Sequence, residues 1–144
     1  MFVGQYSHNI DAKGRLAVPA KFRSELKKAV VTRGLDNCLF LYPKKEWEVL
    51  AQKIAASPIG RASARSFSRF MLAGAMEVEF DSQGRIILPE YLREFAGLKK
   101  ASVIIGVYNR LEIWDETKWQ AYQSEAEKNS NDIAEALNDL QISI

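Results

Sequence analysis

The chain has 144 residues, 47% of them hydrophobic and 26% charged, with 8 Gly and 4 Pro, the make-up of an ordered domain with a real core rather than a disordered chain. Its net charge of +2 conceals a gradient: Lys and Arg exceed Asp and Glu by five over residues 1–47 and by three over 48–75, but fall short by two over 76–119 and by four over 120–144. A cationic first half points to an acidic partner, although ordinary surface charge explains it equally well.

The opening Met1-Phe2-Val3-Gly4-Gln5 has no basic region followed by an apolar run. No stretch approaches the ~18 apolar residues of a membrane helix, so a soluble, cytoplasmic protein without a membrane partner is expected. One cysteine, Cys38, precludes an intrachain disulfide, cannot alone build a metal site, and suits a reducing compartment.

Laid over itself at an offset of 70, the chain matches Asp11 with Asp81, Gly14 with Gly84, Arg15 with Arg85, Pro19 with Pro89 and Arg23 with Arg93, five identities in thirteen positions. At an offset of 72 the match continues through Gly34/Gly106, Asn37/Asn109, Leu39/Leu111, Tyr42/Trp114 and Trp47/Trp119. The duplication divides the chain into a first repeat (5–47), a helical insert (48–75), a second repeat (76–119) and a C-terminal helical tail (120–144).

Within each repeat the local chemistry is the same. Asp11-Ala12-Lys13-Gly14 and Asp81-Ser82-Gln83-Gly84 place Asp first and Gly fourth, which suits a type I turn closed by a glycine at positive φ in a hairpin. Arg15–Val18 and Arg85–Leu88 then read as short strands, followed by a proline where a helix starts. Phe22 and Leu26, or Leu92 and Phe95, mark that helix's buried side. Ala29–Arg33 with Cys38–Tyr42, and Ser102–Tyr108 with Leu111–Trp114, read as strand pairs around turns. Val103-Ile104-Ile105 is apolar at consecutive positions, so its strand should be covered on both faces.

Between the repeats, residues 44–74 read as helical with a break at Ser57-Pro58-Ile59-Gly60. Arg61, Arg65 and Arg69 form one stripe on the second segment, best read as a solvated or subunit-contact face. Ile133, Leu137 and Leu140 give a last amphipathic helix.

Enzymatic function lacks parts. There is one histidine, His8, no Cys-His pair at ligand spacing, no phosphate-cradling glycine loop and no nucleophile with a base nearby in sequence. No catalytic, metal or cofactor site is expected. Asp11 and Asp81 are explained by the turn, where an Asp side chain bonds its own backbone. The arginines are less easily dismissed. Arg15 and Arg85 suit an ion pair with the Asp four residues back, yet a guanidinium on a rigid hairpin also suits phosphate or the O6/N7 edge of guanine, and a two-stranded ribbon fits the major groove. The residues alone leave these two open.

Asp-x-x-Gly-Arg followed by apolar alternation, Pro and a short helix resembles the SpoVT/AbrB hairpin. Two copies joined by a helical insert with Arg65 and Arg69, behind Met1-Phe2-Val3-Gly4-Gln5-Tyr6, resemble the MraZ family of bacterial transcriptional regulators, over Phe2 to about Trp119. That resemblance implies a β-rich α+β fold, a double-split β-barrel in which the two repeats intertwine as a pseudo-dimer, with peripheral helices. It implies a ring-shaped homo-oligomer that binds double-stranded DNA at promoter direct repeats, represses the division and cell-wall gene cluster, and associates with the nucleoid. The DNA-binding residues it implies are Lys13, Gly14 and Arg15 in the first repeat and Gln83, Gly84 and Arg85 in the second. Gln83 stands where the first repeat has Lys13, so the first hairpin is expected to be the stronger contact. A ring-forming scaffold or protein-interaction module without sequence-specific DNA binding is the competing expectation.

Overall fold

The computed structural model describes residues 1–142. The first repeat builds β1 (Phe2–Asn9), β2 (Arg15–Ala17), α1 (Ala20–Leu26), β3 (Ala29–Arg33) and β4 (Leu39–Pro43). Helices α2 (Lys44–Ala55), which begins at the end of the first repeat, and α3 (Ala62–Ala73), within the insert, follow. The second repeat builds β5 (Met76–Val78), β6 (Arg85–Ile87), α4 (Glu90–Phe95), β7 (Ala101–Tyr108) and β8 (Leu111–Asp115), and the chain continues into α5 (Glu116–Lys128) and α6 (Ser130–Asp139). Pro19 and Pro89 stand immediately before α1 and α4 at φ −50° and −57°. Proline is favoured at a helix entrance because its φ is preset and its missing N–H would have no intrahelical partner there.

Six strands form one antiparallel sheet in the order β1-β7-β8-β4-β3-β5, and β2 pairs with β6 in a separate two-stranded ribbon. The pairing crosses between repeats. β1 of the first repeat lies along the whole of β7 of the second, from Phe2 opposite Tyr108 to Asn9 opposite Ala101, while β5 of the second repeat pairs with β3 of the first. The two meet again at the sheet centre, where β4 pairs with β8. The repeats are therefore interlocked, each lending its leading strand to the other's half of the sheet.

Alternation along the strands supplies a core on both faces. Leu39, Leu41, Ile104, Leu111 and Ile113 point to one side, against Leu16 and Ile86 of the ribbon, Phe22 and Leu26 of α1 and Leu92 of α4. Phe40, Tyr42, Val103, Ile105 and Trp114 point to the other, where Ile54 of α2 and Met71 of α3 are buried and Trp47 and Trp119 pack against them. Val103-Ile104-Ile105 is thus covered on both faces, as its composition requires. Trp47, Tyr42 and Phe40 belong to this packing. The break in the insert falls between Ala55 and Ala62 as expected.

Cys38 is fully buried, its Sγ 3.2 Å from the Leu35 carbonyl oxygen. Burial, reinforced by Glu112 and Asp36, pushes its thiol far above the usual range, so the thiolate is not formed at neutral pH. Iodoacetamide should leave Cys38 unmodified in the folded protein and label it once urea unfolds the chain; rapid labelling without denaturant would contradict this burial.

The C-terminal helix is present as α6, but its apolar side is largely uncovered: Leu137 is half-buried, Ile133 is 49% exposed, and Leu140, just past the helix end, 69%. Periodicity identified the apolar side of the helix and had no bearing on whether the rest of the chain covers it. Among the described residues no helix is long and apolar enough to cross a membrane.

Candidate nucleic-acid interface

The turn between β1 and β2 is closed by its own backbone. Gly14 N–H donates to the Asp11 carbonyl at 2.9 Å, and Asp11 N–H donates to the Arg15 carbonyl at 3.1 Å. The Asp11 carboxylate folds over the turn, where Oδ1 accepts from the N–H groups of Lys13 and Arg15, at 3.0 and 2.9 Å. The second turn repeats this. Gly84 N–H donates to Asp81 O at 3.0 Å, and Asp81 Oδ1 accepts from Gln83 and Arg85 N–H, both at 2.9 Å. Gly14 and Gly84 take φ +80° and +75°, conformations that L side chains rarely adopt.

Both arginines are tied to the aspartate four residues back. Arg15 Nε lies 2.5 Å from Asp11 Oδ2, and Arg85 Nε lies 2.8 Å from Asp81 Oδ2. The ion pair that the spacing allowed is therefore real in both repeats. It engages Nε only, so the end of each guanidinium, with Nη1 and Nη2, is the part that remains for a ligand. An arginine held at Nε in this way loses little further freedom when its Nη groups bind.

Ribbon pairing brings the two arginines together. Leu16 and Ile86 are direct partners and both are fully buried. Alternation then sets Arg15, Ala17, Arg85 and Ile87 on the outward face. Arg15 stands opposite Ile87 and Arg85 opposite Ala17, so the arginines are diagonal neighbours across one ribbon, about 7–8 Å apart at Cα. The two hairpins make one surface with a local two-fold relation through the Leu16–Ile86 pair. Lys13 and Gln83 are exposed at opposite turns.

The two glycines do not share that surface. Gly14 and Gly84 are buried, each covered by the chain of the other repeat. Leu88 N–H donates to the Gly14 carbonyl at 2.8 Å, and Val18 N–H donates to the Gly84 carbonyl at 3.1 Å. The Arg93 side chain lies against Gly14 and the Arg23 side chain against Gly84. Gly14 and Gly84, expected among the DNA-binding residues, are thus buried and shape the turns from beneath. Arg23 and Arg93 matched in the sequence, but the surface each covers belongs to the opposite repeat and leaves no local trace.

The remaining basic groups lie elsewhere. Lys21 Nζ sits 4.6 Å from the Tyr6 ring centroid. Arg61, Arg65 and Arg69 are exposed on α3 or at its start, with Arg65 Nη1 donating to Ile59 O at 2.7 Å, as a solvated stripe would be. Trp119 Nε1 donates to Gln5 Oε1 at 2.7 Å, and its ring packs on Trp114 in the core. Among the described residues, no group of three or more His, Cys, Asp or Glu side chains is arranged to hold a metal ion.

Asp11 and Asp81 are held below the usual carboxylate range, chiefly by the backbone N–H of Arg15 and Arg85 and further by the guanidiniums. A carboxyl whose folded pKa is depressed stabilises the fold at every pH above its unfolded value, and this is lost as pH falls through the folded value. The urea midpoint should therefore drop less between pH ~7 and pH ~2 in an Asp11→Asn/Asp81→Asn protein than in the wild type. Identical drops would show that the two turns contribute nothing to acid sensitivity.

Comparison with known proteins agrees with the duplication. The family model described as "MraZ protein, putative antitoxin-like" matches twice, over residues 1–70 and 71–140. The chain is 54% identical over 143 residues to the transcriptional regulator MraZ of Natranaerobius thermophilus, covering 99% of this chain and 100% of that protein. It is 53% identical over 143 residues to its namesake in Halothermothrix orenii, with the same coverage. The corresponding protein of Desulforamulus reducens is 51% identical over 141 residues, covering 97% of this chain and 99% of that one.

Proposed function

The chain belongs to the MraZ family, and on that premise we propose that it is a sequence-specific DNA-binding transcriptional regulator. The observation that carries this reading is the outward face of the β2–β6 ribbon, where Arg15 and Arg85 are diagonal neighbours with Nε anchored and Nη groups available. The major groove is about 12 Å wide and admits a two-stranded ribbon, and an arginine end-on to guanine O6 and N7 is the commonest specific contact there. Arg15 and Arg85 read base edges, Lys13 adds a phosphate contact at the first turn, and Gln83 takes the corresponding place at the second. Gly14 and Gly84 contribute turn geometry. The first hairpin is the stronger contact because Lys13 has no cationic counterpart.

The protein acts in the cytoplasm, on the nucleoid, as a repressor of the division and cell-wall gene cluster. It forms a homo-oligomeric ring whose subunits each place one ribbon on successive direct repeats of a promoter. Individually weak contacts then combine through effective concentration. The interlocked repeats 5–47 and 76–119 form the double-split barrel, with 48–75 and 120–144 as peripheral helical segments.

Titrating a labelled promoter duplex at increasing salt tests the reading. Binding that exceeds that of a scrambled duplex and weakens steeply with salt is expected. A protein that treats both duplexes alike at physiological salt would instead be a ring-forming scaffold.

A further inference from the structure

We propose that Arg23 and Arg93 are positioning residues for the arginines of the opposite repeat, Arg93 for Arg15 and Arg23 for Arg85, resting for its functional consequence on the DNA-binding reading above. Arg93 leaves α4 in the second repeat, and its guanidinium lies over Gly14 of the first: a Cβ on Gly14 would come within 2.9 Å of Arg93 Nε and Cζ. Arg93 Nε donates to the Leu88 carbonyl at 2.9 Å, and Leu88 N–H donates to the Gly14 carbonyl at 2.8 Å. Gly14 N–H bonds Asp11 O at 2.9 Å, and Asp11 Oδ2 holds Arg15 Nε at 2.5 Å. The path from Arg93 to Arg15 is therefore an unbroken series of contacts that crosses from one repeat to the other.

The related path runs the other way. Arg23 covers Gly84, Gly84 N–H bonds Asp81 O at 3.0 Å, and Asp81 Oδ2 holds Arg85 Nε at 2.8 Å. It differs in one hydrogen bond: among the described residues Arg23 Nε is buried without a partner, whereas Arg93 Nε has Leu88 O. A buried donor without an acceptor gains nothing to offset its lost hydration, so the hold on the second turn is the looser. This gives a physical cause for unequal hairpins besides the exchange of Lys13 for Gln83. Each repeat fixes the reading arginine of the other, so the acidic second repeat is needed for the geometry of Arg15.

Full-length Arg93→Met, Arg15→Ala and the double variant should be titrated against a duplex bound preferentially by the wild type and against its scrambled counterpart. Arg93→Met is expected to lower the affinity ratio of the two duplexes at least tenfold with the salt slope unchanged. In the Arg15→Ala background it should change that ratio less than twofold, because residues acting through one another are not additive. Equal weakening on both duplexes with a shallower salt slope would make Arg93 a direct phosphate contact and overturn the proposal; so would full additivity.

A readout free of DNA separates positioning from general loss of stability. Hydrogen exchange of the arginine Nε–H groups, followed by nitrogen-15 NMR, should accelerate at least tenfold at Arg15 but not Arg85 in Arg93→Met, and at Arg85 but not Arg15 in Arg23→Met. Equal acceleration at both turns in either variant would contradict the crossed assignment. A wild type with no duplex preference would sink the DNA-binding reading, while the exchange pattern would still decide the positioning role.

Discussion

Arg15→Ala is expected to cost about 1–3 kcal/mol for each guanine that the side chain reads, the usual discrimination of a bidentate arginine, with most of the weakening on the specific duplex. Because an oligomer repeats the interaction, the effects in several subunits compound, and a gel-shift titration should show specific binding falling to the level of scrambled DNA. The fold should survive, because Arg15 is on the outward face while Leu16 beside it is buried. The unpartnered Asp11 left behind keeps its N–H bonds from Lys13 and from the backbone of residue 15. Lys13→Ala should act differently: it removes about one phosphate interaction, lowers the salt slope by about 0.9, and leaves the preference between duplexes intact. A folded Arg15→Ala protein with unchanged promoter affinity would show that the arginine is only the turn's ion-pair partner.

Gly14→Ala should be the most damaging single change in the turns. At φ +80° an L residue is strained by roughly 1–2 kcal/mol. The new methyl would also sit 2.9 Å from the Leu88 carbonyl oxygen and from the Arg93 guanidinium. The oxygen belongs to backbone that also holds the Gly14 carbonyl, so it cannot withdraw without opening the contact between repeats. Overpacking of this kind adds about 1–3 kcal/mol. The atoms nearest a methyl at Gly84 all belong to the Arg23 side chain, which can swing away, so the cost of Gly84→Ala should stay near the strain alone. Urea denaturation should therefore rank Gly14→Ala below Gly84→Ala in stability, and the reverse order would mean that the covering of the two turns has been assigned wrongly.

The turns, the proline-started helices, the break at Ser57–Gly60 and the doubly covered β7 were all legible in the sequence, because each depends on chemistry within a few residues. Partner choice was not. Nothing in Phe2–Asn9 signals that it pairs with Ala101–Tyr108, since strand pairing depends on which edges the assembled core leaves open. The burial of Gly14 and Gly84 was hidden for the same reason. A hairpin turn read in isolation is a tip, and only the crossed pairing shows that the opposite repeat lies over it. Conversely, the sequence placed Arg15 and Arg85 in two separate hairpins, and the ribbon register sets them on one surface. The duplication is thus more than two copies of a unit: the face that carries Arg15 and Arg85 exists only where the copies meet.

Selection of bound sequences from random duplexes, run in parallel with the wild type and with Arg15→Ala/Arg85→Ala, is the most direct test of that face. Enrichment of a short guanine-containing element in evenly spaced direct repeats by the wild type, and of nothing by the variant, is the predicted outcome. Enrichment of the same element by both proteins would place sequence recognition elsewhere on the molecule.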